Sequence, residues 1–227
     1  MKWTFVIQQK LKVAMLLGVI MGAVVLFNII LQKNISNINS SVNSMYNDRL
    51  IPANDIFQLL ETMHNRQLLM EHFLYKDDGN VVELKETLKQ YDQKMWNLVA
   101  KYEKTFLVDE ESDFLTKLKQ SITRYSAVES QVIKLSAESD KSDGLRFYDT
   151  TGKIALENTM QQLSGLSTIQ SEVGNKLVND TKGVVAASNF LSDIQIVLAI
   201  VIGLLIVSLI ASSKLISQSP QPNYKMN

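Results

Sequence analysis

Two long apolar runs bracket this chain, and they leave it few possible folds. Val13 to Leu31 is 19 residues with one polar interruption, Asn28. Ile196 to Ala211 is 16 residues with one polar member, Ser208, and Ile194 extends the run across Gln195. A bilayer core about 30 Å thick is crossed by about 20 helical residues at about 1.5 Å each, so both runs read as membrane-spanning helices. A helix satisfies its own backbone groups in lipid, where no water is available to do so. The segment between the runs is polar, charged and patterned at helical spacing. The sequence predicts an all-α protein that enters the membrane twice.

Charge is sorted along the chain. All 23 acidic residues lie between Lys33 and Asp193 with 18 of the 23 basic ones, while the ends carry Lys2, Lys10, Lys12, Lys214 and Lys225 and no acid. Basic flanks on the outer side of each span place both termini in the cytoplasm, and a long middle segment then lies outside it. Gln32-Lys33-Asn34 offers no small-residue cleavage site, so the first span reads as an uncleaved anchor. The expected layout is a cytoplasmic N-terminus at 1–12, a span at 13–32, an extracytoplasmic domain at 33–193, a span at 194–212 and a short cytoplasmic tail at 213–227.

The domain reads as four helices. Steps of three and four from Ile35 give Ile38, Val42, Met45, Arg49, Pro52, Ile56, Leu59, Met63, Arg66, Met70 and Phe73, a stripe that projects back into the first span. Tyr75 to Asn80 is a turn, and Asn80 with Glu83 has capping-box spacing. A second stripe follows: Leu84, Leu88, Tyr91, Met95, Leu98 and Tyr102. Asp109-Glu110-Glu111 suits the positive end of a helix dipole and opens a third, with Phe114, Leu118, Ser121, Tyr125, Val128, Val132 and Leu135 on one face. Turn formers at Ser139 to Gly144 precede the fourth stripe, from Leu163, Leu166 and Gln170 to Ile194 and Leu198, which enters the second span in register. Gly152 marks a break or kink near its start. Short connections make neighbours antiparallel, so the domain is predicted to be an up-down-up-down four-helix bundle flanked by two transmembrane helices.

In this layout the chain resembles the four-helix-bundle sensor module of bacterial methyl-accepting chemotaxis receptors. Met45-Tyr46-Asn47-Asp48-Arg49-Leu50-Ile51-Pro52 is similar to the tyrosine–x–x–arginine–aliphatic–proline segment of the family's first helix, and Thr151-Gly152 through Leu163 and Leu166 to the start of its last. The resemblance implies a bacterial inner membrane, a periplasmic domain, a homodimer or a heterodimer with a full-length chemoreceptor, and a small-molecule ligand. It also implies a piston-like displacement of the last helix through the second span. Ser213 to Pro220 resembles the opening of a HAMP linker, and no output domain follows it before Asn227. The alternative expectation is a non-sensing membrane scaffold or a receptor remnant.

The candidate ligand-binding residues are Arg49, Arg66, Tyr91 and Tyr125. The two arginines are the only charges on the first stripe, and a planar guanidinium suits carboxylate recognition. The competing reading is an internal ion pair, for which antiparallel counting offers Asp180 to Arg49 and Glu157 to Arg66. Tyr91, Trp96, Tyr102 and Tyr125 either line a crevice or belong to the core. His64 and His72 have no third ligand at metal-binding spacing, and Asp77, Asp78, Asp140 and Asp143 read as solvated turn carboxylates. Asn28 is expected to hydrogen-bond a neighbouring helix. With no cysteine, thiolate chemistry and disulfides are excluded. No phosphate loop, nucleophile elbow or metal triad suggests an enzyme or a cofactor, and a net-negative domain without a basic patch argues against nucleic acid.

Overall fold

The computed structural model describes residues 2–76, 80–138 and 140–217, with side chains described from 12 to 208 within them. Among these residues every regular element is helical: α1 Lys2–Ser44, a π-helical turn Met45–Leu50, α2 Ile51–Tyr75, α3 Val81–Tyr102, α4 Asp109–Glu138, α5 Lys141–Phe147, a second π-helical turn Tyr148–Gly152, and α6 Lys153–Ser217. The chain divides into two units, Ser41–Asn179 and a second formed by Met1–Ser40 with Asp180–Asn227.

Ser41–Asn179 is the bundle. α2 packs on α3, α3 on α4, α4 on α5, and α5 returns to α2, which closes the ring with short connections. Its core runs through Ile56, Leu59, Met63 and Met70 of α2, Met95 and Val99 of α3, Leu118, Ile122 and Tyr125 of α4, and Leu163 and Leu166 of α6. The predicted stripe on the first helix is buried as expected from Arg49 to Phe73. The third stripe is corrected. The buried positions of α4 are Glu111, Leu115, Leu118, Ile122, Tyr125, Val128, Glu129, Val132 and Ile133, whereas Phe114, Ser121 and Leu135 lie half-buried on its flank. Leu118, Tyr125, Val128 and Val132 are buried as expected, but the buried face is turned by part of a residue step toward Leu115 and Ile122, and two glutamates enter the core. Similarly, Val99 replaces Leu98 as a buried residue of α3.

Both π turns have local causes. Pro52 lacks an N–H and its ring clashes with the carbonyl four residues earlier, so an α-helical register cannot pass through it unchanged. The chain inserts one residue ahead of it, and the Ile51 N–H donates to the Tyr46 carbonyl. At the second turn the Lys153 N–H donates to the Tyr148 carbonyl. Gly152 does not break the helix. It lets the Tyr148 ring lie against the backbone, where a Cβ would stand 2.5 Å from Cδ2. The fourth rod therefore begins at Lys141, ahead of the expected kink, because Asp140 and the following turn formers serve as a helix start. Asn80 caps α3 as expected, its side chain accepting from the Val82 N–H at 3.0 Å.

The other unit holds the apolar runs. Among the described residues two helices are long and apolar enough to cross a membrane, and their most apolar windows bury nothing against protein. Met15, Val19, Val25, Ile29, Ile196, Ile200, Leu204 and Val207 are all exposed, as a lipid-facing surface requires. Within this unit Asn34 donates to Ser188 Oγ at 3.1 Å, and Gln195 donates to the Val24 carbonyl at 3.4 Å. Asn28 departs from expectation: its amide donates to the Val24 carbonyl of its own helix at 3.0 Å. One turn of helix thus supplies an acceptor for one amide N–H.

Candidate functional site

Arg49 and Arg66 sit at two levels of the bundle, each buried and each surrounded by polar side chains. Arg49 lies in the first π turn and is 6% exposed. Its Nη1 donates to Glu111 Oε1 at 2.8 Å and to Gln170 Oε1 at 3.4 Å, and its Nη2 to the Phe106 carbonyl at 3.3 Å. The Gln170 amide donates to the Tyr102 hydroxyl at 2.9 Å, and Tyr102 donates to Glu111 at 3.4 Å. Glu111 also accepts from the Val108 N–H at 2.9 Å through its second oxygen. One carboxylate thus caps the start of α4 and neutralises an arginine from the first rod.

Arg66 is 1% exposed, at a deeper level. It presents a fork to Glu129: Nε donates to Oε1 at 3.2 Å and Nη2 to Oε2. Nη1 donates to Asp92, Nη2 to Ser126 Oγ at 3.0 Å, and the Tyr125 ring centroid lies 5.6 Å from Cζ. Ser126 in turn donates to Asp92 at 3.1 Å. Burial works against the Arg66 charge, but the bonds and field of Glu129 and Asp92 outweigh it and hold its pKa above the ordinary value. Burial likewise pushes the Glu129 carboxyl up, against the pull of Arg66. The fork on Glu129 takes two of the five guanidinium N–H donors, Asp92 and Ser126 accept two more, and Met95 Sδ lies 3.5 Å from Nη1.

The ion-pair partners differ from those that antiparallel counting gave. Arg49 pairs with Glu111 rather than Asp180, and Arg66 with Glu129 and Asp92 rather than Glu157. The counting assumed that the first rod meets charge on the last one, but the acids that pair with the two arginines come from α3 and α4. Both glutamates were legible only by placing them at core positions of α4. The run Glu111, Leu115, Leu118, Ile122, Tyr125, Glu129 and Val132 is an unbroken heptad stripe once charged members are admitted. The structure brings Arg66 and Tyr125 together, and puts Arg49 beside Tyr102 rather than either of them. Tyr91 is half-buried on α3, and Trp96 is 39% exposed, outside the core.

A cleft opens between α3 and α4 above Arg66. It is lined by Arg66, Lys85, Leu88, Lys89, Asp92, Ser126, Glu129, Ser130 and Ile133. Elsewhere His64 and His72 are both exposed, and among the described residues no three His, Asp or Glu side chains are grouped to hold a metal ion. At the far turn Asp143 pairs with Arg146 and Asp140 accepts from Ser142, while Asp77, Asp78 and the tail from Gln218 lie outside the described residues.

No curated protein matches the chain. The sequence pattern of a family described as a four helix bundle sensory module for signal transduction matches residues 4–185, from the first apolar run through the whole bundle. The ring of four helices in Ser41–Asn179 is the architecture that description names, and the chain belongs to this family of chemoreceptor-type sensory modules.

Proposed function

We propose that this sensory module detects a small ligand outside the cytoplasm and passes the signal inward as a displacement of α6. The observation that carries the reading is that α6 is one helix from Lys153 to Ser217, holding core residues of the bundle at one end and an apolar run at the other. A helix without a joint transmits a shift along its axis, and a ligand drives that shift by its differential affinity for two positions. Both termini are cytoplasmic and the bundle is periplasmic, in line with the basic ends and the confinement of every acid to the middle of the chain.

The module works as a dimer with a second copy or with a receptor of the same type. Val42, Tyr46, Leu50 and Phe57 are each more than half exposed and follow one another by four, four and seven residues along the first rod. Among the described residues that is an apolar stripe left uncovered.

The chain has no cysteine, so single replacements report cleanly. In intact spheroplasts an impermeant maleimide should label Lys76→Cys and spare Lys2→Cys, and the reverse pattern would refute the orientation. Leu50→Cys should form intermolecular disulfides on mild oxidation, and a metabolite that binds the module should change the crosslinking rate of Ile196→Cys. A broad metabolite set that leaves both that rate and thermal stability unchanged would argue for a scaffold instead.

A further inference from the structure

We propose that the cleft between α3 and α4 is a binding site for a small dianion, a phosphate or a dicarboxylate, held between Lys85 and Lys89 of α3 and Ser126 and Ser130 of α4. The cleft has a built floor: Arg66 and Glu129 are 1% and 2% exposed and locked in a fork. Asp92 supplies the third contact to Arg66. Both acids of the cleft are therefore engaged at its base, and three cations, Arg66, Lys85 and Lys89, stand against those two acids. The charges of the cleft left without an ion pair among the described residues are Lys85 and Lys89, both exposed and one helical turn apart on the same wall. Residues at that spacing hold their side chains side by side, so two ammonium groups face one volume.

The opposite wall adds donors. Ser126 and Ser130 are themselves one turn apart, and both line the cleft across from the lysines. Their hydroxyls donate to Asp92 at 3.1 Å and to the Ser126 carbonyl at 2.9 Å, and either can rotate to an incoming anion. An ammonium pair and two hydroxyls match the several acceptor oxygens of a dianion better than the single charge of a monocarboxylate. Bound there, the anion also competes with Asp92 for Arg66. Asp92 is 36% exposed, so it can turn to water, whereas Glu129 cannot. Binding thus pulls on the residue that joins the first rod to α4, which ties the cleft to the bundle's interior. The inference rests on the sensory reading above and names the chemistry of its ligand.

The test is calorimetric titration of the full chain in nanodiscs with inorganic phosphate and, separately, with succinate, at physiological salt. Saturable binding of one equivalent of either is expected, and which of the two binds identifies the source. The Lys85→Ala/Lys89→Ala double variant should bind about tenfold more weakly or worse, Ser126→Ala/Ser130→Ala less weakly, and Lys134→Ala on an outward face should bind as the parent does. Both lysines are exposed, so helical circular dichroism should be unchanged in their variant. No saturable heat with either anion, or binding equal in parent and lysine variant, would overturn the site. Metabolite responses of Ile196→Cys crosslinking that persist in the lysine variant would leave the sensory reading standing while removing this site from it.

Discussion

Replacing Arg66 by methionine should be among the most damaging single changes in the bundle, and a second change should undo most of the damage. The methionine side chain would fill much of the arginine stem's volume but leave Glu129, at 2% exposure, without either bond of its fork. Breaking a buried pair from one side costs about 3–5 kcal/mol, because the remaining charge is neither paired nor hydrated. At about 2–4 °C per kcal/mol for a domain of this size, melting should fall by roughly 6–20 °C. Glu129 then has one escape, which is to take up a proton. Burial already raises its carboxyl pKa, and without Arg66 the main opposition to that push is gone. A carboxyl raised in the folded state stabilises fully below its unfolded pKa of about 4.3 and loses that contribution as pH rises through the folded value. The variant should therefore regain stability on acidification from neutral pH. The double variant Arg66→Met/Glu129→Leu removes both charges, frees Asp92 to water, and should return to within about 1 kcal/mol of the parent. Urea and thermal melts of the full chain in micelles, followed by helical circular dichroism, measure all three proteins. A single variant as stable as the parent, or a double variant no better than the single, would refute the buried fork as the organising contact.

Two further predictions address the core. Gly152→Ala places a methyl 2.5 Å from Tyr148 Cδ2 and should cost about 1–3 kcal/mol, while Gly174→Ala, with nothing within 4 Å, should be neutral or stabilise by up to about 1 kcal/mol. Equal melting temperatures for the two would show that the second π turn does not need its glycine. At high pH, burial holds the phenols of Tyr102 and Tyr125 above their usual value and pushes Tyr148 up to about 12. Stability carried by a raised phenol is complete below the unfolded pKa of about 10 and falls by about 1.4 kcal/mol per pH unit above it, for Tyr148 until about pH 12. Loss of helix should therefore coincide with the appearance of tyrosinate absorbance from these three residues. Ionisation of all tyrosines in one step near pH 10, with the helices intact, would contradict their burial.

Periodicity alone determined the helices, the two apolar runs and the inward face of the first rod. A buried side chain must recur every three or four residues, and the stripe from Arg49 to Phe73 obeys that rule without a gap. It also showed that two arginines point inward, which already demands partners. Which partners they take was decided by tertiary structure. A stripe on one helix defines a face but not the rotation or axial register of another helix far along the chain, and Arg49 to Glu111 spans 62 residues. On α4 two stripes compete, one through Phe114, Ser121 and Leu135 and one through Leu115, Ile122 and Glu129. Hydrophobicity favours the first, since the second buries two glutamates. The second wins because the arginines of the first rod make those glutamates worth burying, a gain visible only when the helices are side by side. The same holds for the π turns: the periodicity runs through Pro52 without marking one, and Gly152 announces only an irregularity, so whether the helix breaks, kinks or absorbs a residue depends on what packs against it.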